Sequence, residues 1–266
     1  MDMLKSFVVV FLRYIPPVKS WKFCSLQVGN SEKGVSTIQK ISLGRFLWFN
    51  SSRPIEAARP AIRPLIIFLL GAPGVGKGTV SKFLKDAFPG LTHLSYGDLV
   101  RYQDDIPGSW ISSFPRREGA SSPLLPARVS AKLIQETIET GVSRYGQMTW
   151  LIDGFPRTAQ HVAEWMAHMP SADLTLHMFC PPAVSIERVL GRAQNSKRPD
   201  DADMQKVENR VNRNVAESQS MLDALEGCGT QVVRVDANRD LELVKTDIFN
   251  HVKGAMKSWE EKTHKS

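Results

Sequence analysis

From residue 64 onward, short apolar runs alternate with stretches of helical periodicity. The first run, Leu65–Leu70 (LIIFLL), is unbroken and ends at Gly71. An unbroken run of this length fits a strand buried on both faces, as in a parallel sheet. Comparable runs recur at 91–95, 149–152, 174–179 and 231–235. Helical stretches lie between and after them, at 79–87, 127–140, 161–168, 183–192, 203–225 and 241–257. Strands alternating with helices predict an α/β domain, a five-stranded parallel sheet covered on both faces in three layers. Right-handed crossovers then make the C-terminal strand ends the edge where a ligand binds. No internal repeat is visible. The stretch 109–126, which holds Pro115, Pro123 and Pro126, is the least regular part of this body.

The first 60 residues lack any sustained period and change the picture of charge. They carry nine Lys/Arg against three acids, a net +6 out of +7 for the 266-residue chain. The body is therefore nearly neutral, which argues against nucleic acid as a partner, since a binder carries its basic stripe on the folded domain. An acid-poor, basic leader fits a mitochondrial transit peptide. A disordered extension and a start site assigned too far upstream also fit, so the localisation read here is mitochondrial or cytoplasmic. With 42% apolar and 23% charged residues the composition is that of a globular protein. No apolar run approaches the roughly 18 residues of a membrane span. The three cysteines, Cys24, Cys180 and Cys228, are widely spaced with no CxxC pair, which predicts free thiols and no structural zinc.

The candidate chemistry starts where the first strand meets the first helix. Here lie Gly71, Ala72, Pro73, Gly74, Val75, Gly76, Lys77, Gly78 and Thr79 (GAPGVGKGT). A glycine-rich turn lets backbone N–H groups converge on phosphate oxygens without obstruction by Cβ atoms. The helix N-terminus adds its partial positive charge. Lys77 supplies a mobile point charge for the β and γ phosphates. The strict phosphate-loop pattern places Ser or Thr directly after the lysine, whereas here Gly78 intervenes before Thr79.

That form, GxPGxGKGT, is the one used by adenylate kinases and UMP-CMP kinases, and further segments follow in the order and spacing of that family. His93 through Arg101 (HLSYGDLVR) resembles its HLSTGDLLR. Leu125-Pro126 resembles the VP that borders the acceptor base, and Leu151 through Arg157 is its LIDGFPR. Arg188, Arg192 and Arg198-Pro199-Asp200-Asp201 resemble the arginine-bearing lid. Arg210 stands on the next helix, and Val235-Asp236-Ala237 resembles the segment that borders the ATP base. The resemblance covers about residues 64–257. It implies a P-loop kinase fold with an acceptor-binding insertion at about 97–126 and a short lid at about 192–201. An extension (1–60) and a polar tail (258–266) would flank it.

The resemblance implies a nucleoside monophosphate kinase, a monomer using ATP, magnesium and a nucleoside monophosphate. Phosphoryl transfer spreads negative charge over the moving group, so it calls for cations and no protein nucleophile. By resemblance, Lys77, Arg157, Arg192, Arg198 and Arg210 serve transfer, and residues 71–79 with Arg192 and Ala237 hold ATP. The acceptor meets Tyr96, Arg101, Leu125, Gly154, Arg157, His161, Arg198 and Arg210. Asp153 holds magnesium through water. Arg188 has a weaker case, since an arginine early on its helix is accounted for by solvation. The short, cysteine-free lid implies no zinc.

The acceptor-base end departs from the family. Adenylate kinases place Thr where Tyr96 stands, and pyrimidine kinases tend to have Ala. Adenylate kinases read adenine with Gln where His161 stands. Gln160 is one residue earlier, about 100° around a helix, and does not substitute. UMP-CMP kinases have Asn there and often a Trp four residues on, where this chain has Trp165, a residue that a core role would equally explain. The expectation is that Tyr96 and His161 set base choice, with AMP slightly ahead of UMP and CMP. Two rival functions remain open. An ATP-binding protein that has lost transfer is disfavoured by the intact arginine set, and an ATP hydrolase by the lack of a residue to align water.

Overall fold

The structure, a computed structural model, describes residues 63–115, 125–193, 201 and 203–264. The expected extension and most of the lid, Arg198 included, lie outside the described residues. Strands β1 (Leu65–Leu70), β2 (Thr92–Ser95), β3 (Thr149–Asp153), β4 (Leu174–Phe179) and β5 (Gln231–Asp236) form one sheet in the order β2-β3-β1-β4-β5. Every pairing is parallel. Among the described residues the helices are α1 (Lys77–Ala87), α2 (Tyr96–Asp104), α3 (Ala127–Tyr145), α4 (Ala159–Met166), α5 (Pro182–Ala193), α6 (Met204–Gly227) and α7 (Leu241–His264). The α/β class and the five parallel strands are as the sequence implies.

The unbroken run of β1 is explained by two cores. Ile66, Phe68 and Leu70 face a cluster built with Tyr96, Ile134, Phe155, Trp165 and Leu222. Leu65, Ile67 and Leu69 face the other side, with Val80 and Leu84 of α1 and Val244, Ile248 and Val252 of α7. None of the six is more than 1% exposed. Each such side chain contributes roughly 1.5–3 kcal/mol by leaving water. The chain runs from β1 to β2 and β3 on one side, then crosses to β4 and β5 on the other. That reversal at β1 opens a crevice beyond the strand C-termini.

Three helices differ from the sequence reading. The helix α2 was not expected, because its apolar positions are too few to show a period. It is started by the Ser95 hydroxyl, which accepts from the Asp98 N–H. The helix α3 continues past 140 through Tyr145. Gly141 does not break it, because the missing side chain lets the helix approach Trp150, which a Cβ would strike. The helix α7 continues through His264, taking in residues read as a polar tail, and Trp259 donates from Nε1 to the Arg63 carbonyl at 2.8 Å. The irregular stretch begins with a 3-10 turn, Trp110–Ser113, and residues 116–124 lie outside the described set. No helix among the described residues is long and apolar enough to cross a membrane.

Candidate active site

The loop after β1 is shaped by positions that only glycine fills. Gly71 and Gly74 have φ of 141° and 90°. A Cβ at Gly71 would collide with the Met178 carbonyl, and one at Gly74 with that of Ser185. The loop is thereby pressed against the end of β4 and the start of α5. Ala72 and Val75 anchor it in the core, while Gly78 and Thr79 are exposed in the first turn of α1. Lys77 folds back over the loop, its Nζ donating to the carbonyls of Gly71 at 2.8 Å and Ala72 at 3.1 Å.

Asp153 ends β3, in register with Leu69 of β1 and Ser95 of β2. Its carboxylate lies 3.8 Å from His93 Nε2. Gly154 takes φ of 80° and donates to the Leu69 carbonyl at 3.1 Å, so the chain turns at the mouth of the loop. The Phe155–Pro156 bond is cis. Among the described residues no three His, Cys, Asp or Glu side chains gather as a metal cage. A magnesium ion would therefore depend on the Asp153 carboxylate, its own waters and substrate phosphates, a donor set that suits this hard cation.

Arg157 turns back on this corner, donating from Nε to the Gly154 carbonyl at 3.0 Å. Its Cζ stands 4.9 Å from the centre of the Tyr96 ring. Burial pushes this guanidinium below its usual pKa. Tyr96 and Asp153 oppose that shift, while Arg210 and Arg101 add to it by repulsion. These three arginines thus share one field beside Asp153. Arg101, on the exposed side of α2, pairs with Asp98.

Tyr96 opens α2 and is buried among Phe155, Leu125 and Val100. His161 lies in the first turn of α4, where Thr158 caps the helix by accepting from the His161 N–H at 3.3 Å. The same hydroxyl sits 2.7 Å from His161 Nδ1. A hydroxyl can both donate and accept, so which atom donates across that contact follows the His161 tautomer. The His161 Nε2 is buried and makes no hydrogen bond. Burial, and then Arg157, lower the His161 pKa to about 4, so the ring is neutral near pH 7. Trp165 is a core residue, its Nε1 bonded to the Pro170 carbonyl at 2.8 Å and its ring edge-on to Phe68.

Arg192 and Arg210 converge on Asp201. Arg192 donates to it at 3.0 and 3.3 Å, and Arg210 at 2.8 Å. Asp201 has no exposed surface. Asp201 belongs to the lid motif, for which the resemblance implies no task at this position. It lies nine residues from each arginine, a spacing that matches no helical period, so no local signal marks it. Arg188, the weaker candidate, donates to the Ala237 carbonyl at 3.1 Å. Ala237 in turn donates to the Phe179 carbonyl at 2.8 Å. Arg188 therefore fastens α5 to the segment after β5, which solvation alone would not do.

The adenylate kinase family model matches residues 69–230. Among curated proteins, the UMP-CMP kinase of Xenopus laevis is 32% identical over 193 residues, covering 71% of this chain and 98% of that one. The UMP-CMP kinase of Gallus gallus is 30% identical over 187 residues, with 69% and 94% covered. That of Homo sapiens is 29% identical over 195 residues, with 72% and 96% covered.

Proposed function

This chain belongs to the adenylate kinase family, and from that premise we propose that it transfers the γ-phosphoryl group of ATP to a pyrimidine nucleoside monophosphate, UMP or CMP. Membership makes it a nucleoside monophosphate kinase, a phosphotransferase whose acceptor is a phosphate group. The observation that carries the pyrimidine reading is the likeness to UMP-CMP kinases along 94–98% of their length. It moves the acceptor from AMP, slightly ahead on sequence alone, to UMP and CMP. His161 agrees with this reading. In the tautomer that carries its proton on Nε2, the neutral ring offers a donor to a pyrimidine carbonyl.

In the reaction an oxygen of the acceptor phosphate attacks the γ-phosphorus. The bond from γ-phosphorus to the bridging β–γ oxygen breaks, ADP leaves, and a nucleoside diphosphate forms. The glycine loop and the N-terminus of α1 hold the ATP phosphates, and Lys77 moves from loop carbonyls to the β and γ oxygens. Arg101 and Arg157 grip the acceptor phosphate. Arg192, Arg210 and Arg198 surround the transferring group. Bound magnesium, held near Asp153, supplies charge neutralisation at the phosphates.

The test is a coupled assay of ADP formation with Mg-ATP and UMP, CMP, dCMP, AMP or GMP. The expected result is a kcat/KM for UMP or CMP at least about tenfold above AMP, the scale of one well-placed hydrogen bond. Equal or better use of AMP overturns the pyrimidine assignment. Binding of ATP without turnover of any acceptor overturns the kinase assignment itself.

A further inference from the structure

Tyr96 and Arg157 form a pair that the motifs treat separately. The Arg157 Cζ lies 4.9 Å from the centre of the Tyr96 ring, and only 2% of that tyrosine is exposed. The ring is backed by Phe155, with centroids 5.7 Å apart. At its far end the tyrosine oxygen is 2.6 Å from Ser130 Oγ. The Ser130 hydroxyl points to the carbonyls of Pro126 and Leu125, at 3.3 and 3.5 Å. Its proton is therefore spent on a carbonyl, and the tyrosine proton goes to Ser130. The ring is held at both ends, by the core on one side and by the first turn of α3 on the other.

Such a ring solves a specific problem for a phosphate clamp. Arg157 is buried close to two like charges, Arg101 and Arg210. A carboxylate partner would stabilise it but cancel its attraction for a phosphate. An aromatic face attracts the cation without neutralising it and without using any of its five N–H donors. The family's smaller residue at this position offers no such face.

We propose that Tyr96 is a positioning residue for the acceptor-phosphate clamp: its ring holds Arg157, and its hydroxyl, through Ser130, fastens the clamp to the start of α3. The proposal rests on the reading of Arg157 as the acceptor-phosphate ligand. It replaces the expectation that Tyr96 selects the base. A clamp acts alike on every acceptor, whereas a base reader changes the ratio between them.

The test replaces Tyr96 in the full chain by phenylalanine and by phenylalanines carrying one, two and three ring fluorines. Size and burial are kept while the negative face of the ring is progressively drained. The acceptor KM is expected to rise with each fluorine, by roughly tenfold across the series, the scale of a desolvated cation–π contact. The factor should be the same for each acceptor that is turned over, with the ATP KM unchanged. Tyr96→Leu should show the full rise, and Tyr96→Phe should recover most of it. A flat fluorine series, or a changed ratio between UMP and AMP, overturns the proposal. Arg157→Ala separates the two layers. If it raises the ATP KM and leaves the acceptor KM, the clamp reading falls and the proposal with it. If it raises the acceptor KM while the fluorine series is flat, the proposal alone falls.

Discussion

Asp201→Asn removes one charge from a carboxylate that has no contact with solvent and serves two guanidiniums. The two partners respond differently. The Arg210 side chain is 15% exposed and stays desolvated when its partner is neutralised. Breaking a buried pair in this way costs about 3–5 kcal/mol. The Arg192 side chain is 41% exposed and can turn to water, so its share is under about 1 kcal/mol. The asparagine oxygen still accepts one bond and returns part of the loss. The net expectation is a destabilisation of about 2–4 kcal/mol, or a Tm lower by roughly 5–15 °C for a domain of this size. In the wild type, burial alone would raise the Asp201 pKa, but the hydrogen bonds from Arg192 and Arg210 outweigh it and hold the group below the usual carboxylate range. A depressed carboxylate contributes fully above the unfolded value near about pH 4 and loses its contribution as pH falls through the folded value. The gap between wild type and Asp201→Asn should therefore be wide at pH 7 and close in the acid limb. Urea unfolding across pH 3–7 measures it. A gap below about 0.5 kcal/mol at pH 7, or one that does not narrow in acid, refutes the shared-carboxylate account.

Lys77→Ala should fold normally and lose roughly 10²-fold or more in kcat, the scale of removing one preorganised electrostatic donor, and steady-state turnover near wild type would remove Lys77 from the mechanism. His161 and His177 both have pKa values lowered to about 4, chiefly by burial. Their unfolded values lie near 6.5, so protonation favours the unfolded chain: stability is full above pH 6.5 and declines as pH falls toward 4, by about 2 kcal/mol for each between pH 7 and 5. Thermal melts over that range should show the decline, and His177→Gln should roughly halve it.

What the sequence revealed depended on whether the cause was local. The strand β1 is visible because both its faces are buried, so six apolar residues run together. The phosphate loop is visible because a backbone cradle demands closely spaced glycines, Gly71 and Gly74, where Met178 and Ser185 leave no room for a Cβ. The helix α2 was hidden because it is short, held by a cap at Ser95 and by only three side chains against the core, Tyr96, Leu99 and Val100. The contacts of Tyr96 were hidden for a different reason. Its partner Ser130 is 34 residues away, and motif comparison marks only that a large residue stands where a small one is usual. The place of Trp165 in the core, bonded to Pro170, was open in the sequence and is settled by burial.

The cations of this site also show why a cluster of like charges can be kept together and still attract anions. Lys77 is bonded to two neutral loop carbonyls, and Arg157 to one carbonyl and an aromatic face. Phosphate oxygens can take over the donors now bonded to these carbonyls. Arg101 pairs with Asp98 at the surface, where screening by water makes the pair easy to exchange. Among the described residues, Arg192 and Arg210 share the Asp201 carboxylate, and those three groups sum to one net positive charge. Partial neutralisation of this kind leaves net positive charge on the group, the sign that two anionic nucleotide substrates call for.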